Sequence, residues 1–281
     1  LCKESEKIAF VLRVVPFDAP NCDDINLPKG IKNFTKFNNG IVLVTGPTGS
    51  GKTTTLAALL DYINQTDQKH IVTLEDPIEF TYRNKKSIFT QRQLNMDTTS
   101  FPDGLKYALR QDPDVILIGE MRDRDTILSA LKASETGHLV FSTLHTIDAV
   151  QTVSRIVNAF EPHEREAIKF QLAESLRATI AQKLVRKADG EGRLPAAEIL
   201  VITSAVKDYI KKDKLDSVYE LIKQGNFNDM ITMNMSLYRL VKSGLVTKDE
   251  ALKVADNKTE LEQMFKGVFY GTFNQTESTE V

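Results

Sequence analysis

Short apolar runs alternate with amphipathic stretches through the first part of the chain. The runs at 41–44, 70–74, 115–118 and 139–141 have the length and composition of buried strands. Stretches of helical periodicity lie between them, of which 124–135 is one. Strands that alternate with helices of this length predict a largely parallel sheet with helices on both faces, so the fold class expected is α/β.

The pattern becomes mainly helical from residue 149 onward. A long amphipathic helix is predicted over 162–184, followed by an exposed turn at 188–192 and a last strand at 197–202. Further helices are predicted at 204–212, 215–223, 230–241 and 247–255. Thr247 and Glu250 open the last of these with the spacing of a capping box.

The two ends of the chain differ from its middle. Residues 7–15 are apolar and β-rich and predict a strand, whereas 16–29 is a linker-like stretch with proline, asparagine and aspartate. A short helix is predicted at 30–37. The chain begins at Leu1 with residues that read as the middle of an element, so we expect a further N-terminal portion before it. The polar tail at 266–281 is expected to be disordered.

Composition indicates an ordinary globular protein of one large domain or two smaller ones. The 281 residues are 41% hydrophobic and 26% charged, and no apolar run is long enough to cross a membrane. The 36 basic and 38 acidic side chains nearly balance, so no basic field points toward nucleic acid. Cys2 and Cys22 are the only cysteines, which excludes a disulfide framework and a cysteine-based zinc site and fits a reducing cytosol.

The segment Gly46 to Thr53 reads Gly-Pro-Thr-Gly-Ser-Gly-Lys-Thr and lies between an apolar run and a stretch of helical periodicity. A phosphate-binding loop requires this order of strand, glycine loop and helix. The glycines let backbone N–H groups converge on one point, and the helix adds the positive end of its dipole. Lys52 can reach the β- and γ-phosphates of a nucleotide, and Thr53 can ligate Mg²⁺. The alternative, a glycine-rich turn before an ordinary helix, does not account for the full motif.

Acidic and histidine side chains follow the other predicted strands. They are Glu75, Asp76 and Glu79 after one strand, Glu120 after the next and His145 after the third. Because reacting groups in open α/β sheets gather at the carboxyl ends of strands, we expect these residues to share one site. They can coordinate Mg²⁺ and orient or deprotonate a water molecule, as phosphoryl transfer to water requires. Turn formation is an equally good interpretation of Asp76, and His138 fits a structural role better than His145 does.

Together these motifs resemble the secretion-type ATPases, the hexameric RecA-like motors of type IV pili and type II secretion. The phosphate-binding loop is followed by an Asp box, Glu-Asp-Pro-Ile-Glu, at 75–79. A Walker B run at 112–123 and a His box at 136–146 come next, in the order typical of the superfamily. The resemblance extends from about residue 8 to about residue 255.

The resemblance also divides the chain into domains. It implies the C-terminal remnant of a PAS-like domain at 1–15, the linker at 16–29, a RecA-like P-loop NTPase core at 30–203, a helical C-terminal region at 204–265 and the tail at 266–281. In the family, the PAS-like domain contributes arginines to the nucleotide of the neighbouring subunit. The possible trans or sensor arginines of this chain are Arg13, Arg110 and Arg122.

The resemblance implies a role for each site residue. Glu79 is the general base, Glu120 holds the metal or its water, and His145 senses the γ-phosphate. Thr53 and Glu120 are the metal ligands, and ATP and Mg²⁺ are the cofactors expected. Gly119 stands where many P-loop enzymes have aspartate, so the resemblance implies that Glu120 and the Asp box share the coordination of the metal. The residues expected to bind the nucleotide are Gly46, Pro47, Thr48, Gly49, Ser50, Gly51, Lys52, Thr53 and Thr54.

Within the superfamily the chain is most similar to the PilT family, which drives pilus retraction and twitching motility. The four-cysteine zinc module that assembly and secretion ATPases usually carry after the His box is missing. The PilT signature Ala-Ile-Arg-Asn-Leu-Ile-Arg-Glu corresponds to Ala-Val-Lys-Asp-Tyr-Ile-Lys-Lys at 205–212, with Lys207 and Lys211 at the basic positions. We expect this helix to couple the motor to its partner.

The function expected is that of a homo-hexameric, Mg²⁺-dependent ATPase motor for pilus retraction. It would lie at the cytoplasmic face of the bacterial inner membrane, bound to the platform protein of the pilus machine and not inserted in the bilayer. A pilus-assembly or type II secretion ATPase, or an accessory retraction ATPase, is the alternative within the enzymes. A nucleotide-switched adaptor with negligible turnover stays open, as does a DNA translocase, which the balanced charge disfavours.

Overall fold

The computed structural model describes residues 2–4, 7–9, 18–224 and 229–269. Its strands are β1 (Cys2–Glu4), β2 (Lys7–Ala9), β3 (Gly40–Thr45), β4 (His70–Glu75), β5 (Ile88–Gln93), β6 (Val115–Ile118), β7 (Leu139–Leu144), β8 (Leu176–Arg186) and β9 (Arg193–Val201). Its α-helices are α1 (Lys52–Thr66), α2 (Phe101–Ala108), α3 (Arg124–Glu135), α4 (Ala149–Asn158), α5 (Arg165–Ser175), α6 (Ser204–Lys211), α7 (Leu215–Gln224), α8 (Met233–Lys242), α9 (Lys248–Val254) and α10 (Lys258–Phe265). Two 3₁₀ helices span Lys29–Lys36 and Leu109–Gln111.

A seven-stranded sheet with the order β5-β4-β6-β7-β3-β8-β9 forms the centre of the fold. Its neighbouring strands are parallel, except that β9 runs antiparallel to β8. The predicted α/β fold with a largely parallel sheet is confirmed. The predicted strands at 41–44, 70–74, 115–118 and 139–141 correspond to β3, β4, β6 and β7.

The residues of β3 show how the sheet divides the core. Ile41 and Leu43 belong to one hydrophobic cluster, whereas Val42 and Val44 belong to another. Successive side chains of a strand point to opposite faces, so the sheet is covered on both sides. Helices α3, α4, α5 and α6 contribute to the first cluster, and α1 together with the 3₁₀ helix Lys29–Lys36 contributes to the second. A third cluster joins α8, α9 and α10 to the outer ends of β8 and β9.

The prediction of a single helix over 162–184 is wrong in its second half. Helix α5 ends at Ser175, and the chain continues directly as β8. This strand lies between β3 and β9, and most of its side chains are buried. A strand that is buried on both faces has no alternation of apolar and polar residues to mark it, so the pattern alone could not distinguish it from a helix.

Two further elements, β5 and α10, have no counterpart in the sequence prediction. Strand β5 reads Ile-Phe-Thr-Gln-Arg-Gln and lies at the edge of the sheet, where it pairs with β4. It lacks the apolar run by which the inner strands were recognised. Helix α10 is short, and Asn257 caps it by accepting a hydrogen bond from the Glu260 N–H. The other predicted helices of the C-terminal region lie within a few residues of α6, α7, α8 and α9.

The N-terminal residues form an antiparallel pair of short strands, in which Ile8 lies opposite Lys3. Only the first part of the strand predicted over 7–15 falls in β2. The remainder, with Arg13, lies outside the described residues, as does the tail from residue 270 onward. The domain boundaries stay a prediction. Among the described residues, no helix has the length and apolar character needed to cross a membrane.

Candidate active site

Four neighbouring strands bring the candidate residues to one edge of the sheet. β4, β6, β7 and β3 are adjacent and parallel, so their carboxyl ends lie side by side. The glycine loop at 46–51 follows β3, and Glu75 to Glu79 follow β4. Glu120 and His145 follow β6 and β7. The structure therefore brings the three groups of side chains to the same end of the sheet as the loop, and their roles in a shared site stay a prediction.

The backbone of the loop permits only glycine at two of its positions. Gly46 has φ 141° and Gly51 has φ 90°, in the region that side chains disfavour. A Cβ atom on Gly46 would lie 2.3 Å from the carbonyl oxygen of Gln182, and one on Gly51 would lie 2.8 Å from its Nε2. The loop is thus pressed against β8, and its conformation depends on the absence of side chains.

Gln182 fixes the loop and was missed by the sequence analysis. Its side chain is 2% exposed. Its Nε2 donates to the carbonyl oxygen of Ser50 at 2.8 Å, and its Oε1 accepts from the Thr55 hydroxyl at 2.8 Å. One glutamine therefore joins the loop to the first turns of α1. The residue was missed because it falls in the segment that was interpreted as a helix.

Lys52 and the start of α1 make the loop suited to an anion. The Lys52 side chain is 9% exposed, and its Nζ donates to the carbonyl oxygens of Gly46 at 2.8 Å and Pro47 at 3.0 Å. Burial lowers the pKa of this ammonium, while the carboxylates of Glu120 and Glu79 act in the opposite direction. The N-cap of α1 is Gly51, which has no side chain to bond the first N–H groups of the helix. Nucleotide phosphates fit this arrangement of cation and N–H groups.

The remaining loop residues lie around this point. Ser50 is buried, and within the described part of the chain its hydroxyl has no hydrogen-bond partner. Thr53 and Thr54 are half-buried in the first turn of α1, and Pro47, Thr48 and Gly49 are exposed.

No group of three or more histidine, cysteine, aspartate or glutamate side chains in the described ranges could hold a metal ion. Mg²⁺ commonly binds one or two protein ligands and the phosphates of its substrate, and the Thr53 hydroxyl with a nearby carboxylate fits that requirement.

Glu120, Arg122 and His145 form a cluster of polar side chains beside the loop. Arg122 Nε donates to Glu120 Oε1, and His145 Nε2 lies 3.6 Å from the same oxygen. Burial lowers the pKa of His145, as do the positive charges of Lys52 and Arg122, while Glu120 opposes them. These effects favour the neutral form of the imidazole, which is within electrostatic reach of Lys52. Gly119, just before Glu120, lies close to the end of β4, since a Cβ there would lie 3.2 Å from the carbonyl oxygen of Leu74.

A cleft of about 560 Å³ opens from this group toward α4. Its walls come from the carboxyl ends of β6 and β7 and from one face of α4. The lining residues are Glu120, Met121, Arg122, Leu144, His145, Thr146, Gln151, Ser154 and Arg155. The His box and the Walker B run therefore face the same space.

The two glutamates of the Asp box lie in different environments. Glu75 ends β4, is 5% exposed and accepts a hydrogen bond from the Thr73 hydroxyl at 2.7 Å. Burial raises the pKa of its carboxyl group. Glu79 is half-buried and interacts electrostatically with Lys52. Of the two, Glu79 is the one with access to solvent beside the phosphate loop, whereas Asp76 is exposed at the turn before Pro77.

Other candidate residues lie elsewhere. Arg110 is exposed on the 3₁₀ helix Leu109–Gln111, whose Gln111 carbonyl bonds the ring of His70 at the amino end of β4. Arg110 therefore lies near the amino ends of the strands, whereas Glu120 follows the carboxyl end of β6. A role for Arg110 toward a neighbouring subunit stays a prediction. His138 bonds the carbonyl oxygen of Ala133 at 3.0 Å, just before β7, which fits the structural role expected of it.

Lys207 and Lys211 are bound within the chain itself. Both lie on α6, and their Nζ atoms contact the carboxylate of Glu174 at 2.6 and 2.7 Å. Hydrogen bonds from these two lysines lower the pKa of Glu174 to about 2. The coupling role predicted for the lysines is untested, but the structure gives them a partner on α5 that the sequence did not indicate.

Comparison with known proteins identifies the relationship. The family model "Type II/IV secretion system protein" matches residues 24–253, which include every strand of the large sheet and the whole candidate site. The chain belongs to this family. The match also covers α6, so the helix with Lys207 and Lys211 is part of the shared family architecture.

Relatives within the secretion family are similar over most of this chain. A twitching motility protein of Neisseria gonorrhoeae is 47% identical over 249 residues, which make up 89% of this chain and 67% of the relative. The type IV pilus retraction ATPase PilT of Pseudomonas aeruginosa is 45% identical over 245 residues, with 87% of this chain and 71% of the relative covered. A crystal structure of the pilus retraction motor PilT with bound ADP superimposes with a TM-score of 0.84 at 45% identity, covering 90% of this chain and 71% of that one.

Glu198 connects β9 to the start of α4 and gives the folding stability of this family member a pH dependence. Its buried carboxylate accepts a hydrogen bond from the Ala149 N–H at 2.9 Å, at the start of α4. Burial raises the pKa of Glu198 from 4.5 to about 7, and Asp148 and Asp256 act in the same direction. The native state therefore binds a proton that the unfolded chain releases between these values, and folding stability falls as pH rises through this window.

Glu198→Gln should remove this pH-dependent loss while keeping an acceptor for the Ala149 N–H. We expect the variant to be more stable than wild type at pH 8, by at most about 3 kcal/mol at about 1.4 kcal/mol per pKa unit, and nearly equal to it at about pH 4, below both pKa values. Urea unfolding at the two pH values measures this. Glu191→Gln, in the exposed turn, is the matched control. An equal difference at both pH values would contradict the assignment.

Proposed function

We propose that this chain is the Mg²⁺-dependent ATPase motor that powers type IV pilus retraction and twitching motility. The observation that carries the proposal is the arrangement at the sheet edge, where Lys52 interacts electrostatically with Glu79 and Glu120, and His145 contacts Glu120. This arrangement supplies a phosphate site, a carboxylate for the water and an imidazole in one place. Similarity to retraction ATPases over most of the chain supports the mechanical role.

In the proposed reaction, water attacks the γ-phosphorus and the bond to the β–γ bridging oxygen breaks. Lys52 and the N-terminus of α1 hold the β- and γ-phosphates, and Glu79 accepts the proton that the attacking water loses. Bound Mg²⁺ would neutralise phosphate charge, held by Thr53 and by Glu120 directly or through water. His145, beside Glu120, responds to whether the γ-phosphate is present.

The proposal includes the assembly and its place in the cell. We infer a homo-hexamer at the cytoplasmic face of the inner membrane, bound to the platform protein of the pilus machine, with no nucleic-acid partner. An arginine supplied by a neighbouring subunit can increase turnover by about 10³–10⁵-fold, so hexamer formation should stimulate hydrolysis strongly. Arg122 is a cation paired with Glu120, one of the proposed metal ligands.

Phosphate release by the full-length protein tests the enzymatic part of the proposal. We expect Mg²⁺-dependent release from ATP, and loss of the gene should abolish twitching while pili stay on the surface. Loss of surface pili would instead indicate an assembly ATPase. Tight ATP binding without release would indicate a nucleotide-switched adaptor, and stimulation of release by DNA would indicate a translocase.

The accessory alternative rests on a specific difference from the PilT signature. Lys207 and Lys211 stand where that signature has arginine, and lysine cannot make the bidentate bonds of a guanidinium. An accessory motor would require a second retraction ATPase for twitching. Expression of this protein alone in a strain without other retraction ATPases distinguishes the two roles, since a primary motor restores twitching and an accessory one does not.

A further inference from the structure

The segment that carries Glu79 is held by side chains rather than by a strand. Residues 78–82 follow β4 but have no regular secondary structure. The Ile78 N–H donates to Gln93 Oε1 at 3.2 Å, and the Tyr82 N–H donates to Gln91 Oε1 at 3.1 Å. Gln91 Nε2 in turn donates to the Phe80 carbonyl oxygen at 2.9 Å. Two glutamines of β5 therefore bond the backbone on both sides of Glu79.

Glu75 connects these glutamines to the end of β4. Gln91 Nε2 also donates to Glu75 Oε1 at 3.3 Å, and the backbone N–H of Glu79 donates to the same carboxylate. The parallel register places Gln91 opposite Thr73 and Gln93 opposite Glu75, so all four side chains point to the same face of the sheet. The Glu79 backbone thus rests on a row of side chains whose positions are set by the pairing of β4 with β5.

The far end of the same loop is fixed to the phosphate-binding helix. Asn64 of α1 is fully buried. Its Nδ2 donates to the Arg83 carbonyl oxygen at 2.9 Å, and its Oδ1 accepts from the Lys85 N–H at 3.0 Å. The loop between β4 and β5 is therefore attached both to the sheet and to the helix that begins with Lys52. Movement of the Glu79 carboxylate relative to the phosphates is restricted from two sides.

We propose that Gln91 is a positioning residue that holds Glu79 where it can accept the proton of the attacking water. The inference rests on the proposed role of Glu79 as general base. Gln91 bonds the backbone of Phe80 and Tyr82, which follow Glu79, and the carboxylate of Glu75 that receives the Glu79 N–H, so it acts on Glu79 through three contacts. It does not touch the reacting atoms itself. Its loss should change the rate of the chemical step more than nucleotide affinity.

Gln91→Met removes the donors and the acceptor and keeps the length of the side chain. We expect kcat for ATP to fall about 10- to 100-fold, because a displacement of a catalytic group by about 1 Å can cost about 10²-fold. The Kd for ADP and the KM for ATP should stay within about threefold of wild type. Gln68→Met, in the exposed loop between α1 and β4, is the matched control.

A double-mutant cycle with Glu79→Gln separates positioning from a general effect on the fold. If Gln91 acts through Glu79, the double variant should hydrolyse ATP at the rate of Glu79→Gln alone, within about twofold in single-turnover measurements. A further loss in the Glu79→Gln background would show that Gln91 only supports the structure, which overturns the inference. Activity of Gln91→Met equal to that of Gln68→Met also overturns it.

Gln91→Glu provides a second variant if the methionine variant does not fold. A carboxylate at this position still accepts from the Tyr82 N–H but cannot donate to Phe80 or to Glu75. Turnover should be low at pH 8 and should recover relative to wild type as pH falls and the carboxyl group regains a donor proton. A constant ratio to wild type across pH would contradict the inference. Full turnover in Glu79→Gln would instead refute the assignment of Glu79 as the base. The motor proposal would then still be tested separately, by phosphate release from ATP.

Discussion

Glu79→Gln should lower ATP turnover by about 10²-fold or more while leaving nucleotide affinity within about threefold, because general-base catalysis contributes roughly 10²–10⁴-fold. The amide keeps the size of the carboxylate but cannot accept the proton of the attacking water. The phosphate loop and Lys52 are untouched, so ADP and ATP should still bind. Steady-state phosphate release and equilibrium binding of a fluorescent nucleotide measure the two quantities separately.

Glu75→Gln is the matched control for this prediction. Glu75 lies in the same motif but is buried, and its carboxylate accepts bonds from Thr73, Gln91 and the Glu79 backbone. A side chain in that position supports its neighbours and does not reach solvent, so the expected loss of turnover is smaller than for Glu79→Gln. Unchanged turnover in Glu79→Gln would move the role of base to Glu75 or Glu120.

The sequence was sufficient for the parts of the site that local chemistry determines. The glycine loop carries its conformation in its own residues, since Gly46 and Gly51 need positive φ. Glu120 and His145 were recognisable because they follow short apolar strands that match the pattern of a buried sheet. Parallel pairing of β6 with β7 then brings their ends together, which required no knowledge of distant contacts.

The residues that hold these groups in place were not predictable in the same way. Gln182 and Gln91 lie on β8 and β5, one buried on both faces and the other polar at the sheet edge. Neither strand has the apolar signal from which the fold was predicted. Each glutamine holds its neighbours only through the groups that tertiary packing brings next to it. The residues beside the glutamine in the sequence do not indicate which groups those are. Contacts of this kind are visible only in the folded structure.

Changing Lys207 and Lys211 together to alanine should abolish twitching and leave ATP hydrolysis largely intact. The lysines lie on α6 and occupy the basic positions of the retraction signature. Their partner Glu174 lies just before β8, whose first residue pairs with the start of β3, whereas the phosphate loop follows the other end of β3. If this helix transmits motion to a partner, coupling is lost without loss of chemistry. Twitching zones and phosphate release by the purified variant are the two measurements. Loss of both activities would indicate a role in folding.

Glu174 makes this prediction sharper, because it offers a second explanation for any loss. Both lysines bond its carboxylate, so alanine substitution also breaks a contact between α5 and α6. Glu174→Gln removes the same ion pairs and leaves both ammonium groups in place. Retained twitching in Glu174→Gln, with loss in the double lysine variant, assigns the lysines to a partner surface. Equal loss in both would assign them to the α5–α6 contact instead. Lys212→Ala combined with Lys214→Ala, at exposed positions next to α6, controls for the change in net charge.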